Sequence, residues 1–236
     1  MCPGVKLYAI LFIIVASFCL RADNDLIRRV EVSAELVVPP QVDHKNGNVL
    51  SPKVDSVNRW VMVKIEFTAK KRNGSPKLEK DGKSWRMSFD GFMDDVKMDV
   101  RVLFDTKFRI DDEILYCLYT GRTEFFTVRS DGKRHLALMF VPAKLIDRYS
   151  LSADGASIRK AVKNDFMVEV VFSQYGKVLA RGYSNISGQR DFEQKCRSVS
   201  ENFIIEDGVF PRLRTPWALL GADNFDVEKD LSRLGK

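Results

Sequence analysis

Along most of this chain apolar residues recur at every second position, the period of a strand with one buried face. Residues 29–38 (RVEVSAELVV) set Val30, Val32, Ala34, Leu36 and Val38 against Arg29, Glu31, Ser33 and Glu35. Residues 59–68 (RWVMVKIEFT) repeat the pattern with Val61, Val63, Ile65 and Phe67 inward, and residues 98–105 do so with Met98, Val100, Val102 and Phe104. A fourth alternation, Phe166, Val168, Val170 and Phe172, meets Tyr175-Gly176-Lys177 and resumes at Val178, Ala180 and Gly182. That spacing predicts a hairpin, because Gly accepts the positive φ of a primed turn. Shorter extended segments are expected over 85–92, 114–119 and 203–210.

Residues 122–141 (RTEFFTVRSDGKRHLALMFV) stand apart, with two apolar runs flanking Asp131-Gly132 and predicting a second hairpin. In the second run Leu136, Leu138 and Phe140 alternate with Ala137, Met139 and Val141, so the strand has no solvent face. It belongs inside a sheet, covered by a helix starting at Pro142 or by the C-terminal tail. Leu145, Ile146 and Tyr149 predict that short helix. Residues 154–164 suggest another, and the charged stretch 189–202 a third. Residues 39–58 read as a polar loop, and 69–84 as a basic loop or ragged hairpin tip. Strands joined by turns, with one or two short helices in connections, make a mainly β chain, most economically an antiparallel β-sandwich.

The length of 236 residues permits one large domain with a core of its own. Its N-terminus changes the boundaries. Residues 7–18 (LYAILFIIVASF), with Lys6 before and Arg21 after, are short for a membrane crossing and match a signal-peptide core. Residues 1–22 are therefore expected to be a signal peptide, residues 23–214 the sandwich domain and residues 215–236 a tail packing on the domain or a partner. Cleavage would follow Ser17-Phe18-Cys19 or Leu20-Arg21-Ala22, and Cys19 also raises lipidation. The expectation is an exported protein of the periplasm or cell surface, with no transmembrane span in the mature form.

Without residues 1–22 the basic residues fall to 36 against 32 acidic, a net charge of about +4. That excess is too small for a nucleic-acid binder, which would concentrate Lys and Arg on one stripe. Cys117 and Cys196 are the cysteines left beyond the leader. In an oxidising compartment they form a candidate disulfide, whereas the strand pattern around Cys117 equally suits a small buried apolar side chain.

Candidate chemistry is sparse. His44 and His135 lack surrounding acids or cysteines in zinc spacing, and Asp90, Asp94, Asp95, Asp99, Asp105, Asp111 and Asp112 lack the alternation of a calcium loop. No Gly-x-Ser-x-Gly elbow occurs. The expectation is a protein with no catalytic residues, cofactor or metal. Lys70, Lys71 and Arg72, followed by Lys77, Lys80 and Lys83, form a basic segment. It is a solvated loop or a contact for an acidic partner or an anionic glycan. Asn185-Ile186-Ser187 is a glycosylation acceptor pattern. In the tail Trp217, Leu219 and Phe225 are apolar in a polar context and are candidate partner contacts.

The tail, LRTPWALLGADNFDVEKD from Leu213, with Thr215-Pro216-Trp217-Ala218 its most specific part, resembles pilus-locus proteins of mucus-dwelling Verrucomicrobia. The resemblance spans most of the mature chain. It implies an immunoglobulin-like sandwich and a pilus-associated interaction or structural component of the bacterial cell envelope, working through protein–protein contacts without catalysis. The N-terminus departs from a type IV pilin leader, which puts a major pilin in doubt and favours an accessory role. The alternative is a carbohydrate-binding or adhesive surface domain, with exposed Trp60, Trp85 or Tyr residues stacking on sugar. Buried tryptophans would count against it.

Overall fold

A computed structural model describes residues 26–42, 49–50, 60–71, 77–81, 84–88, 91–148, 166–184, 188–218 and 227–228. In chain order the strands are β1 (Ile27–Val37), β2 (Gln41–Val42), β3 (Val49–Leu50), β4 (Trp60–Ala69), β5 (Lys77–Asp81), β6 (Ser84–Ser88), β7 (Phe92–Ile110), β8 (Glu113–Arg129) and β9 (Arg134–Pro142). Helix α1 (Ala143–Arg148) follows, then β10 (Phe166–Gln174), β11 (Lys177–Tyr183), helix α2 (Gly188–Arg197), β12 (Ile204–Ile205), β13 (Phe210–Pro211) and β14 (Val227–Glu228). Among the described residues no helix is long and apolar enough to cross a membrane.

Two sheets carry the fold. The first has the order β1-β4-β9-β13, all antiparallel. The second runs β11-β10-β7-β8-β12, with β14 also on β8, and only the β8–β12 pair is parallel. Their facing sides close one core. Val61, Val63, Ile65 and Phe67 of β4 and Ala137, Met139 and Val141 of β9 meet Met98, Val100, Val102 and Phe104 of β7 and Val168, Val170 and Phe172 of β10, all buried. The period-two reading therefore holds face for face in β1, β4 and β7, while in β10 it holds for the inward face only, because the side carrying Met167 and Glu169 is buried as well; the antiparallel β-sandwich is the observed fold. The helix expected at Pro142 is α1 and the one over 189–202 is α2. Residues 39–58 contain the paired ribbon β2–β3, which replaces part of an expected loop; β5 and β6 form a hairpin, one of the two readings of 69–84, with β6 falling on the strand expected over 85–92. Residues 154–164 lie outside the described residues.

The hairpin expected over 122–141 is not one. β8 belongs to the second sheet and β9 to the first, so the chain crosses the sandwich at residues 130–133. Ser130 N–H donates to the Gly91 carbonyl at 2.8 Å and Gly132 N–H to the Ala69 carbonyl at 3.1 Å, tying the crossing to one sheet and then the other. The physical reason is competition for partners. β8 already pairs with β7 over almost their whole length through the turn at Asp111-Asp112, where φ is 48° and 65°. Each run also has an apolar face, and facing sheets bury both. The inner position expected for residues 136–141 is correct, since β9 lies between β4 and β13.

The predicted hairpin at Tyr175-Gly176 does form, with φ of 49° and 76° as a two-residue primed turn requires. The sandwich is closed along one side by residues 204–211, which leave the second sheet as β12 and enter the first as β13. That crossing presses on Gly121 of β8. A Cβ there would stand 2.0 Å from the Val209 carbonyl oxygen, so the contact admits only glycine.

Candidate functional site

The sandwich has two outer faces, and each holds a cluster. On the first sheet, period two places Trp60 of β4 on the face opposite Val61, and the register sets Met62 of β4 opposite Phe140 of β9. Phe140 is fully buried although it points away from the core. Trp217 covers it, stacked at 4.4 Å between ring centroids with 14° between planes. Trp60 then meets Phe140, Phe210 and Trp217 edge-on at 6.5, 6.3 and 5.6 Å.

The chain delivers Trp217 to this position through a clamp of short-range hydrogen bonds. Arg212 starts a single 3-10 turn and is 4% exposed. Its guanidinium donates to the Ala218 carbonyl at 2.7 Å and the Trp217 carbonyl at 3.4 Å. The Thr215 hydroxyl donates to the Arg212 carbonyl at 2.7 Å and accepts from Trp217 N–H at 3.3 Å. The carbonyls of the turn that follows the helix thus find a cation, as buried backbone groups must find partners. Arg214, exposed beside the clamp, sets its guanidinium over the Phe210 ring at 5.3 Å.

The second sheet's outer face carries charge instead. Glu169 of β10 is fully buried, and the register puts it opposite Arg101 of β7 and Tyr183 of β11. Arg101 Nε donates to Oε2 at 2.5 Å, and its Nη2 pairs with the same oxygen. Arg181 Nη1 and the Tyr183 hydroxyl each donate to Oε1 at 2.8 Å. Burial, and then the hydrogen bond to Glu169, push the Tyr183 hydroxyl up to about 12. Helix α2 is the lid. Its Phe192 is fully buried among Leu103, Leu118 and Met167, and the Arg101 guanidinium lies 5.2 Å from that ring.

Beside this network a cleft of about 740 Å³ is lined by Asp99, Arg101, Thr120, Arg122, Glu206, Asp207 and Arg214. Arg122 Nε donates to Asp99 at 2.5 Å. Three guanidinium groups face three carboxylates across it, so the cleft offers no field of a single sign to hold a charged ligand.

The residues singled out from sequence are scattered. Cys117 and Cys196 are both free thiols, which corrects the candidate disulfide. Cys117 faces the inner core, where its thiol lies 3.2 Å from the Phe203 carbonyl, and burial pushes it up to about 11. Cys196 is on α2 in the outer cluster around Leu118, and burial raises its thiol as well. The β8 sheet separates them. Trp217 is docked on its own sandwich, whereas Leu219, Phe225, Arg72 and His44 lie outside the described residues. Lys70 and Lys71 are exposed. His135 stacks on Phe67 at 5.2 Å with Asp131 3.5 Å from its Nε2. Asp99 and Asp105 pair with Arg122 and Arg109. Trp60 is half-buried with three rings around it, and the Trp85 side chain lies outside what is described. Sequence reading missed Glu169, whose main partner Arg101 lies 68 residues away, and Arg212, whose partners are the nearby Trp217 and Ala218 carbonyls.

What the coordinates define is a two-sheet antiparallel β-sandwich with two short helices among the described residues. No family model and no curated protein matches the chain. Among solved structures, it is similar to a crystal structure of a protein from Akkermansia muciniphila, a member of the Verrucomicrobia. Identity is 14%, the alignment covers 86% of this chain and 94% of the other, and the TM-score is 0.48. A likeness at that level carries no functional argument.

Proposed function

We propose that this chain is a non-catalytic, exported component of the bacterial cell envelope, a pilus-associated interaction or structural element. The observation that carries the reading is the dock built for residues 210–218. Thr215-Pro216-Trp217-Ala218 is the part of the sequence most specific to the resemblance, and it is the part held by Arg212 and stacked on Phe140. A sheet face covered by the chain's own residues 210–218, with the tail pairing again on β8 at Val227–Glu228, suits a structural element whose docked surface meets a neighbour. The lining of the cleft beside Arg101 is balanced in charge and supplies no nucleophile–base pair, which fits a binding or structural role better than an enzymatic one. Trp60, edge-on to three other rings, offers little for a sugar to stack on, which leaves the adhesive alternative to rings such as the exposed Tyr175.

The test is cross-linking in the native envelope with the full chain, the chain ending at residue 214, and Trp217→Ala. Envelope proteins that cross-link to the full chain should be lost from the truncated form and reduced in the point variant. A truncated chain that keeps the same cross-linked neighbours would remove the reading. Recovery of the chain from the cytoplasm alone would remove it as well.

A further inference from the structure

The two ends of the long β7–β8 ladder differ in charge, and each end exposes apolar surface. At the turn end Asp111, Asp112 and Glu113 are exposed and form no ion pair among the described residues. They sit among Phe108, Ile110 and Ile114, which are 41%, 58% and 36% exposed. At the other end β7 begins at Phe92, opposite Arg129. There the crossing at residues 130–133 brings Lys133 beside Lys70 and Lys71, since Gly132 is bonded to Ala69 and lies against Lys71. Arg29, Lys70, Lys71, Arg129 and Lys133 are exposed, and none forms an ion pair among the described residues. Phe92, 37% exposed, supplies apolar surface there. Some acid is present too. Asp94 and Asp95 are exposed nearby, while Glu31 and Glu66 are engaged by Arg134 at 3.6 and 2.9 Å.

Ladder geometry keeps these ends from meeting within one molecule. Paired residues run from Phe92 opposite Arg129 to Ile110 opposite Glu113, and strands of this length reach up to roughly 60 Å. An acidic apolar tip and a basic apolar base on one rigid ladder are complementary only between copies. We propose that copies of this chain associate end to end, the acidic tip of one against the basic end around Lys70, Lys71 and Lys133 of the next. The contact uses different patches on the two partners, so it is heterologous, and repeated without closure it gives an open chain. It rests on the two ends of the ladder and not on the pilus reading, and it would hold for any function.

The experiment is sedimentation velocity on the full chain across protein concentration and salt. Wild type should form species larger than a dimer at low ionic strength, and these should dissociate as salt screens the contact. The double reversals Asp111→Lys with Asp112→Lys, and Lys70→Glu with Lys71→Glu, should each weaken association roughly tenfold or more, because like charges then face each other. Mixing the two variants should restore it, since each mutant end then finds an opposite partner. The altered residues are exposed, and the restored mixture also proves that both variants fold. Wild type that stays monomeric at every concentration overturns the proposal. So does a closed dimer indifferent to both reversals, or failure of the mixture to reassociate. A tip that captures a different basic protein while the chain stays monomeric overturns it too.

Discussion

The two outer faces of the sandwich solve one problem in opposite ways. Each must cover a strand that has no solvent side, β9 in the first sheet and β10 in the second. On β9 the cover is aromatic: Phe140 under Trp217, with Trp60 and Phe210 around them. On β10 it is ionic: Glu169 beneath α2, held by Arg101, Arg181 and Tyr183. Dispersion and water exclusion hold the first cover, so it should be indifferent to pH and salt. The second depends on protonation states and on complete pairing, because a buried carboxylate is tolerated only while its partners remain. The docked segment around Trp217 is thus attached by the aromatic face, while the charged face fastens helix α2.

The largest expected effect is on the aromatic side. Phe140→Ala removes a fully buried ring and should cost about 3–5 kcal/mol, with Trp217 losing its stacking partner. Urea unfolding followed by tryptophan fluorescence reads both consequences. A loss under about 1 kcal/mol would mean the dock collapses around the gap and is not the rigid platform described.

Glu169→Gln should rank next. Removing one partner of a buried ion pair costs about 3–5 kcal/mol in general. Here the Arg101 and Arg181 side chains are 37% and 40% exposed, so water can rehydrate them and the loss should be nearer 2–3 kcal/mol, an estimate from the same principle. The contrast between faces is sharpened by salt. High ionic strength should reduce the difference between wild type and Glu169→Gln while leaving that of Phe140→Ala unchanged. Equal salt dependence in the two variants would erase the distinction.

Why one face was legible in sequence and the other was not follows from the range of the signals. Strands β1, β4 and β7 announce themselves because one face is polar and the period is local, and β10 by the alternation of its inward residues. Trp217 announces itself as an apolar residue in a polar tail. Glu169 reads as the solvent side of a hairpin, yet its main partner Arg101 lies 68 residues away and its lid is a separate helix. Asp131-Gly132 marks a turn correctly but cannot say which sheet the next strand enters, since that depends on β7 having claimed β8 first. The cysteines fail as a pair for a similar reason: alternation along β8 puts Cys117 inside and Leu118 outside, and α2 brings Cys196 to the Leu118 side.

Trp217→Ala tests the tail at smaller scale. The ring is half-buried, so the loss should be roughly 1–2 kcal/mol, and Phe140 should become reachable by solvent. Hydrogen exchange at β13 and at residues 212–218 should quicken while β10 and β11 stay protected. Uniform quickening through both sheets would show that the two covers are one cooperative unit.

The smallest effect separates the faces by pH alone. The Tyr183 hydroxyl is raised from an ordinary value of 10.0 to about 12, by burial first and by its bond to Glu169 second. Between those values the unfolded chain has released this proton and the folded chain has not. The folded state therefore holds more protons, and stability falls as pH rises. The contribution is complete below about pH 10 and gone once pH passes about 12. Tyr183→Phe cannot titrate, so it should be less stable than wild type at pH 9 and approach it by pH 12, while the offset of Trp217→Ala stays constant over that range. Urea midpoints for the three proteins at half-unit pH steps decide the matter, and a Tyr183→Phe offset that does not shrink would mean the hydroxyl is not held by Glu169.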